Sequence, residues 1–160
     1  MSITVQVNSI LELSTSLDSI SREIHTLRII THPHFWGSSE SLVNLVDKLG
    51  RFKNIRSLEL CGGSYGTLLN VLQFIMILNV LPHIKNLKMN IRAPFPGEYR
   101  IQDQNFIVNR ILQTLFKSPS LESAVFVSRE QNTWVRELNA KIRSLFRNRQ
   151  SGEKDRVSKM

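Results

Sequence analysis

Four copies of one short pattern, apolar-x-x-apolar-x-apolar, constrain this chain more than any other feature. They are Ile24-His-Thr-Leu27-Arg-Ile29, Ile55-Arg-Ser-Leu58-Glu-Leu60, Ile84-Lys-Asn-Leu87-Lys-Met89 and Leu121-Glu-Ser-Ala124-Val-Phe126, spaced by 31, 29 and 37 residues. The alternation at the end of each copy is that of a strand with one apolar face. Pro82 and Pro119 stand two residues ahead of the last two copies, where proline ends a preceding helix. Residues 3–7 alternate in the same way and supply a short first strand.

Between the copies, apolar residues recur at three- and four-residue steps, the spacing of one helix face. Residues 9–23 carry Ile10, Leu13, Leu17 and Ile20 behind the capping box formed by Ser9 and Glu12. Residues 39–49 carry Leu42, Val43, Leu45, Val46 and Leu49, and Gly50 supplies the stop. Residues 67–81 form a third, largely aliphatic helix. The uncharged stretch from Leu60 to Ile84 that contains it is broken by Gly62, Gly63, Ser64, Gly66, Asn70, Gln73, Asn79 and Pro82, so it falls short of a membrane span. Asp103 is placed to cap a helix with Phe106, Ile107, Ile111, Leu112 and Leu115 on one face. Ser128 and Gln131 form a second box, ahead of a helix aligning Val135, Leu138, Ile142 and Leu145.

Strand and helix alternating at this spacing require parallel strands, because each helix returns the chain to the same end of the sheet. The residues between the motif positions are mostly polar, so one sheet face is wet, whereas strands covered on both faces read as continuous apolar runs. The expected fold is a short right-handed α/β solenoid, with parallel strands on the concave side and helices on the convex side. A small open parallel α/β sheet is the alternative. With 160 residues and one cysteine, Cys61, the chain reads as one intracellular domain, cytoplasmic or nuclear, over residues 1–146. Residues 147–160 read as a basic disordered tail.

The motif copies resemble leucine-rich repeats, most closely the longer units of ribonuclease-inhibitor-like proteins and of the repeat region of F-box proteins. The resemblance covers residues 24–128, and residues 1–23 contain no F-box. The family's Asn or Cys, three positions after the last apolar residue, is His32, Gly63, Arg92 and Arg129 here. The resemblance implies a leucine-rich-repeat solenoid and a protein-recognition role of the substrate-recognition adaptor type.

Chemistry is harder to find. His32, His34 and Cys61 fall near one another when the units are superposed, but they lack the further ligand a zinc site needs, so no metal is expected. The glycines of residues 61–66 match neither the P-loop nor the dinucleotide fingerprint, and no Gly-x-Ser-x-Gly elbow is present. A non-enzymatic module with no cofactor is therefore expected. Its surface is the wet sheet face, with columns Thr26, Ser57, Asn86, Ser123 and Arg28, Glu59, Lys88, Val125 and, beyond them, Asn90. Rim loops carrying Trp36 and Tyr99 complete the partner-binding set, and the partner is a protein. The formal net charge of +8 is uneven, since residues 129–160 hold +5 of it. That asymmetry supports an alternative in which Arg143, Arg147 and Arg149 make weak, non-specific contacts to nucleic acid.

Overall fold

Each motif copy runs into a strand two residues after its first apolar position. The strands are β1 (Ser2–Val7), β2 (Thr26–Thr31), β3 (Ser57–Gly62), β4 (Asn86–Asn90) and β5 (Ser123–Val127). The computed structural model describes residues 2–31, 45, 47–62, 67–78, 83–128 and 132–158. The strands form one sheet in the order β1-β2-β3-β4-β5, and every neighbouring pair is parallel. The register aligns Arg28 with Glu59, Glu59 with Lys88 and Lys88 with Val125. This is the open parallel α/β sheet expected as the alternative.

The apolar positions all point to one side. Leu27, Ile29, Leu58, Leu60, Leu87, Met89, Ala124 and Phe126 are buried there, and Val7 joins them from β1. Burying one such Leu or Ile contributes about 2 kcal/mol. The covering helices are α1 (Ile10–Leu17), α2 (Leu68–Leu78), α3 (Ile101–Lys117) and α4 (Thr133–Ser158). They bring in Ile10, Leu13, Val71, Ile75, Ile111, Leu115, Leu138 and Ile142 to make one continuous core. Between β2 and β3, Leu45 and Leu49 are also buried; most of the helix expected over 39–49 lies outside the described residues. No helix among the described residues is long and apolar enough to cross a membrane.

The helix ends show where local chemistry prevails. Ser9 caps α1 as expected, with the Glu12 N–H donating to its Oγ at 3.0 Å and Glu12 accepting from the Asn8 N–H at 2.8 Å. The helix is shorter than 9–23 because it tightens at its end, where Asp18, Ser19 and Ile20 each donate to the carbonyl three residues back. Thr67 and Asn70 form an unexpected box at the start of α2, with Thr67 N–H donating to Asn70 Oδ1 at 3.1 Å and Asn70 N–H to Thr67 Oγ1 at 3.3 Å. Asp103 is not the cap of α3: it lies in the first turn, and Arg100 is the N-cap with no side-chain bond. At α4 the Trp134 N–H donates to Asn132 Oδ1 at 2.8 Å. The inward stripes also shift. Phe106 is 69% exposed while Val108 is buried, because a stripe centred on Ile107, Ile111 and Leu115 leaves the residue before Ile107 off its face. On α4, Phe146 is buried and Leu145 half-buried. The expected boundary at residue 147 falls inside α4.

Candidate functional site

The outer face of the sheet is organised in rows that cross the strands. In the first, the Ser123 hydroxyl donates to Asn86 Oδ1 at 2.8 Å and Asn86 Nδ2 donates to Ser57 Oγ at 3.2 Å. This hydroxyl and amide ladder spans β3, β4 and β5. In the second, Arg28 Nε donates to Glu59 at 2.9 Å, and Lys88 follows in register. Lys88 is exposed and belongs to none of the ion pairs among the described residues. The row therefore carries a net positive charge centred on β4, next to the exposed Val125. Between the two rows lies a shallow depression of about 300 Å³, lined by Ser57, Glu59, Asn86, Lys88, Ser123 and Val125.

The third row is different. Gln6 aligns with Ile30 and Ile30 with Cys61, and Asn90 aligns with Val127. Asn90, expected to contact a partner, is only 6% exposed and offers no open surface. The Cys61 thiol donates to the Ile29 carbonyl at 3.7 Å, and burial pushes its pKa up, with Arg28 opposing. It stays protonated near neutral pH, which makes it a poor nucleophile. Among the described residues no group of three or more His, Cys, Asp or Glu is placed to hold a metal, and His32 and His34 lie outside those residues.

The loop after β4 is held from within. Arg92 grips Glu98 with both guanidinium ends, at 2.9 and 2.6 Å, and Glu98 also accepts the Phe95 N–H at 2.9 Å. The Arg92 bonds hold the Glu98 carboxyl below the usual carboxylate range. Gly97, at φ 83°, turns the chain where a side chain would be strained. The clamp presents Phe95, 62% exposed, under the Arg92 guanidinium at 4.3 Å from the ring centre. Tyr99 is half-buried against the core, and Trp36 lies outside the described residues. On the other side of β4, His83 Nε2 bonds the Phe52 carbonyl at 3.0 Å, and burial lowers its pKa.

The basic cluster divides. Arg143 and Arg147 are exposed on α4, but Arg149 turns back to donate to the carbonyls of Phe116, Ser118 and Leu121. Phe116 and Ser118 lie at the C-terminal end of α3, where carbonyls have no helical partner, and Leu121 lies in the turn that leads to β5. A structural bond missed from sequence lies nearby: the Phe126 N–H donates to Asn139 Oδ1 at 2.9 Å, and Asn139 Nδ2 donates to the Phe126 carbonyl at 2.8 Å. Its signal was an amide four residues after Val135 and beside Leu138, on the apolar side of α4.

No protein-family model matches the sequence, and a comparison with curated proteins finds no match. Among solved structures, the chain is similar to the tropomodulin C-terminal domain of Caenorhabditis elegans. The TM-score is 0.57 and the identity 13%, over 98% of this chain and 89% of that one. It is also similar to actin-binding site 2 of leiomodin-1, with a TM-score of 0.52 and 13% identity over 96% of this chain and 87% of that one. At this identity the likeness is one of fold. It replaces the resemblance to leucine-rich repeats of the ribonuclease-inhibitor and F-box type, which is withdrawn. The motif copies report a parallel strand with one apolar face and no more than that. The side chains that would specify the repeat family are absent, since His32, Gly63, Arg92 and Arg129 occupy those positions.

Proposed function

We propose that this chain is a non-enzymatic protein-binding domain that receives its partner on the outer sheet face across β2 to β5, with the Phe95 loop at the rim. The observation that carries the reading is the Ser57–Asn86–Ser123 ladder beside the Arg28–Glu59–Lys88 row. Side chains already bonded to one another lose little freedom when a partner docks, so more of the contact energy is kept. Arg28, Glu59, Lys88 and Asn86 form the contact surface, with Tyr99 behind the rim. The fold likeness to an actin-binding site of leiomodin-1 makes actin the first partner to test.

The test is co-sedimentation with actin filaments and binding to monomeric actin, beside affinity capture with mass spectrometry. Wild type is compared with Lys88→Glu and with the Arg28, Glu59 and Lys88 triple alanine variant. The expected result is a partner whose binding weakens roughly tenfold or more in both variants, as for truncated interface centres. A partner held equally well by all three proteins would overturn the sheet-face reading.

A further inference from the structure

We propose that the open edge of β1 pairs with the β1 edge of a second copy of this chain, antiparallel about a two-fold axis through Thr4. The argument starts from which backbone groups face outward. The carbonyls of His25, Arg56 and Lys85 accept from Ser57, Asn86 and Ser123 respectively, and also from the residue just before each of them. The carbonyl ahead of each strand thus points to the next strand, the Val127 carbonyl accepts from the Ile91 N–H and so faces β4, and facing alternates along a strand. Phe126 has the parity that faces onward, which is why its N–H and C=O reach Asn139 rather than β4. Val5 aligns with Phe126 through Ile29, Leu60 and Met89, so it faces β2. The N–H and C=O of Ser2, Thr4 and Gln6 then face away from the sheet, and no strand among the described residues pairs with them.

Three properties favour a second copy as the occupant. The strand Ser2–Val7 carries no charge and no proline, the devices that ordinarily discourage edge pairing. Its outward groups complement themselves: with Thr4 opposite Thr4, Ser2 meets Gln6, and every outward residue sits at a hydrogen-bonding position of an antiparallel pair. In that same register Ile3 meets the partner copy's Val5 on the core side. Both are half-buried here, while their counterparts on β2 to β4 are buried. A self-matching patch of this kind closes as an isologous dimer. A six-residue edge is a small contact, so the dimer is weak, on the order of 10–100 µM.

Sedimentation equilibrium and light scattering of the full chain, from about 5 to about 500 µM, bracket that range. The expected result is a monomer–dimer equilibrium. Thr4→Lys places two lysines opposite each other at the axis and weakens the dimer about fivefold or more. Thr4→Glu does the same, and mixing the two variants restores association. Thr4 is exposed, so both variants fold, which circular dichroism and thermal melting confirm. A chain that stays monomeric throughout, a dimer indifferent to Thr4→Lys, or a mixture that fails to recover would each overturn the proposal.

Discussion

At the β5 edge, the side-chain amide of Asn139 occupies the N–H and C=O of Phe126 at 2.9 and 2.8 Å, as a sixth strand would. At the β1 edge, the corresponding groups of Ser2, Thr4 and Gln6 meet no strand among the described residues. α4 also covers β5 with Val135, Leu138, Ile142 and Phe146, and Arg149 ties it to the end of α3. α1 covers β1 with Ile10, Leu13 and Leu17 and leaves Ile3 and Val5 half-buried. A parallel sheet has two open ladders, and an unpaired ladder invites association. The comparison teaches that here one helix contributes both the apolar cover and the polar termination, and that among the described residues the opposite end has only the cover.

The largest expected effect follows from removing the termination. Asn139→Ala leaves a backbone donor and acceptor of Phe126 without their partners in a half-buried site, a loss of about 2–4 kcal/mol in urea denaturation. Asn139→Asp keeps the acceptor for the N–H but sets a carboxylate against the Phe126 carbonyl, so it does not rescue. Thr4→Lys at the other edge changes monomer stability by less than about 0.5 kcal/mol. Equal stability losses at Asn139 and Thr4 would erase the asymmetry between the edges.

A smaller effect tests the tie between α4 and α3. Arg149→Met keeps an apolar stem beside Phe146 but removes the donors to Phe116, Ser118 and Leu121, for a loss of about 1–2 kcal/mol. Arg147→Met, at an exposed neighbour, falls within about 0.5 kcal/mol of wild type. If the two variants melt together, the closed end owes nothing to Arg149, and its polar termination rests on Asn139.

How much of this was readable from the residues depends on the range of the interaction. The strands and their cross-strand columns were legible, because period-two alternation directly encodes which side of a strand is buried, and repeated spacing aligns Arg28, Glu59 and Lys88. The capping box at Ser9 was legible because it is local. Asn139 and Arg149 were not, since their partners lie 13 and about 30 residues away. An amide on the apolar side of a helix does not name the strand it meets, and an arginine near the end of a basic helix reads as solvated. Asn90 shows the same limit from the other side: its parity points outward, yet packing at the end of β4 buries it. The resemblance to leucine-rich repeats did not hold because the strand pattern records only a geometry, a parallel strand with one apolar face.

The smallest effect is a local titration that leaves both edges untouched. The Arg92 bonds lower the Glu98 pKa in the folded state, so the clamp's stabilisation is fully present above the ordinary Glu value, about 4.3, and is lost as pH falls through the lower folded value. Protonation takes the charge from the carboxylate that accepts the Phe95 N–H, so the Phe95 amide resonance should shift with a midpoint below that of an exposed glutamate. Glu98→Gln should abolish the shift while leaving the fold intact at neutral pH. The amides of Phe126 and Thr4 should stay still over the same range, because the clamp closes within residues 92–98 and touches neither edge. Movement of Phe126 in step with Phe95 would mean that the loop and the β5 edge act as one unit. The difference between the two edges would then have to be extended to the rim that faces the proposed partner.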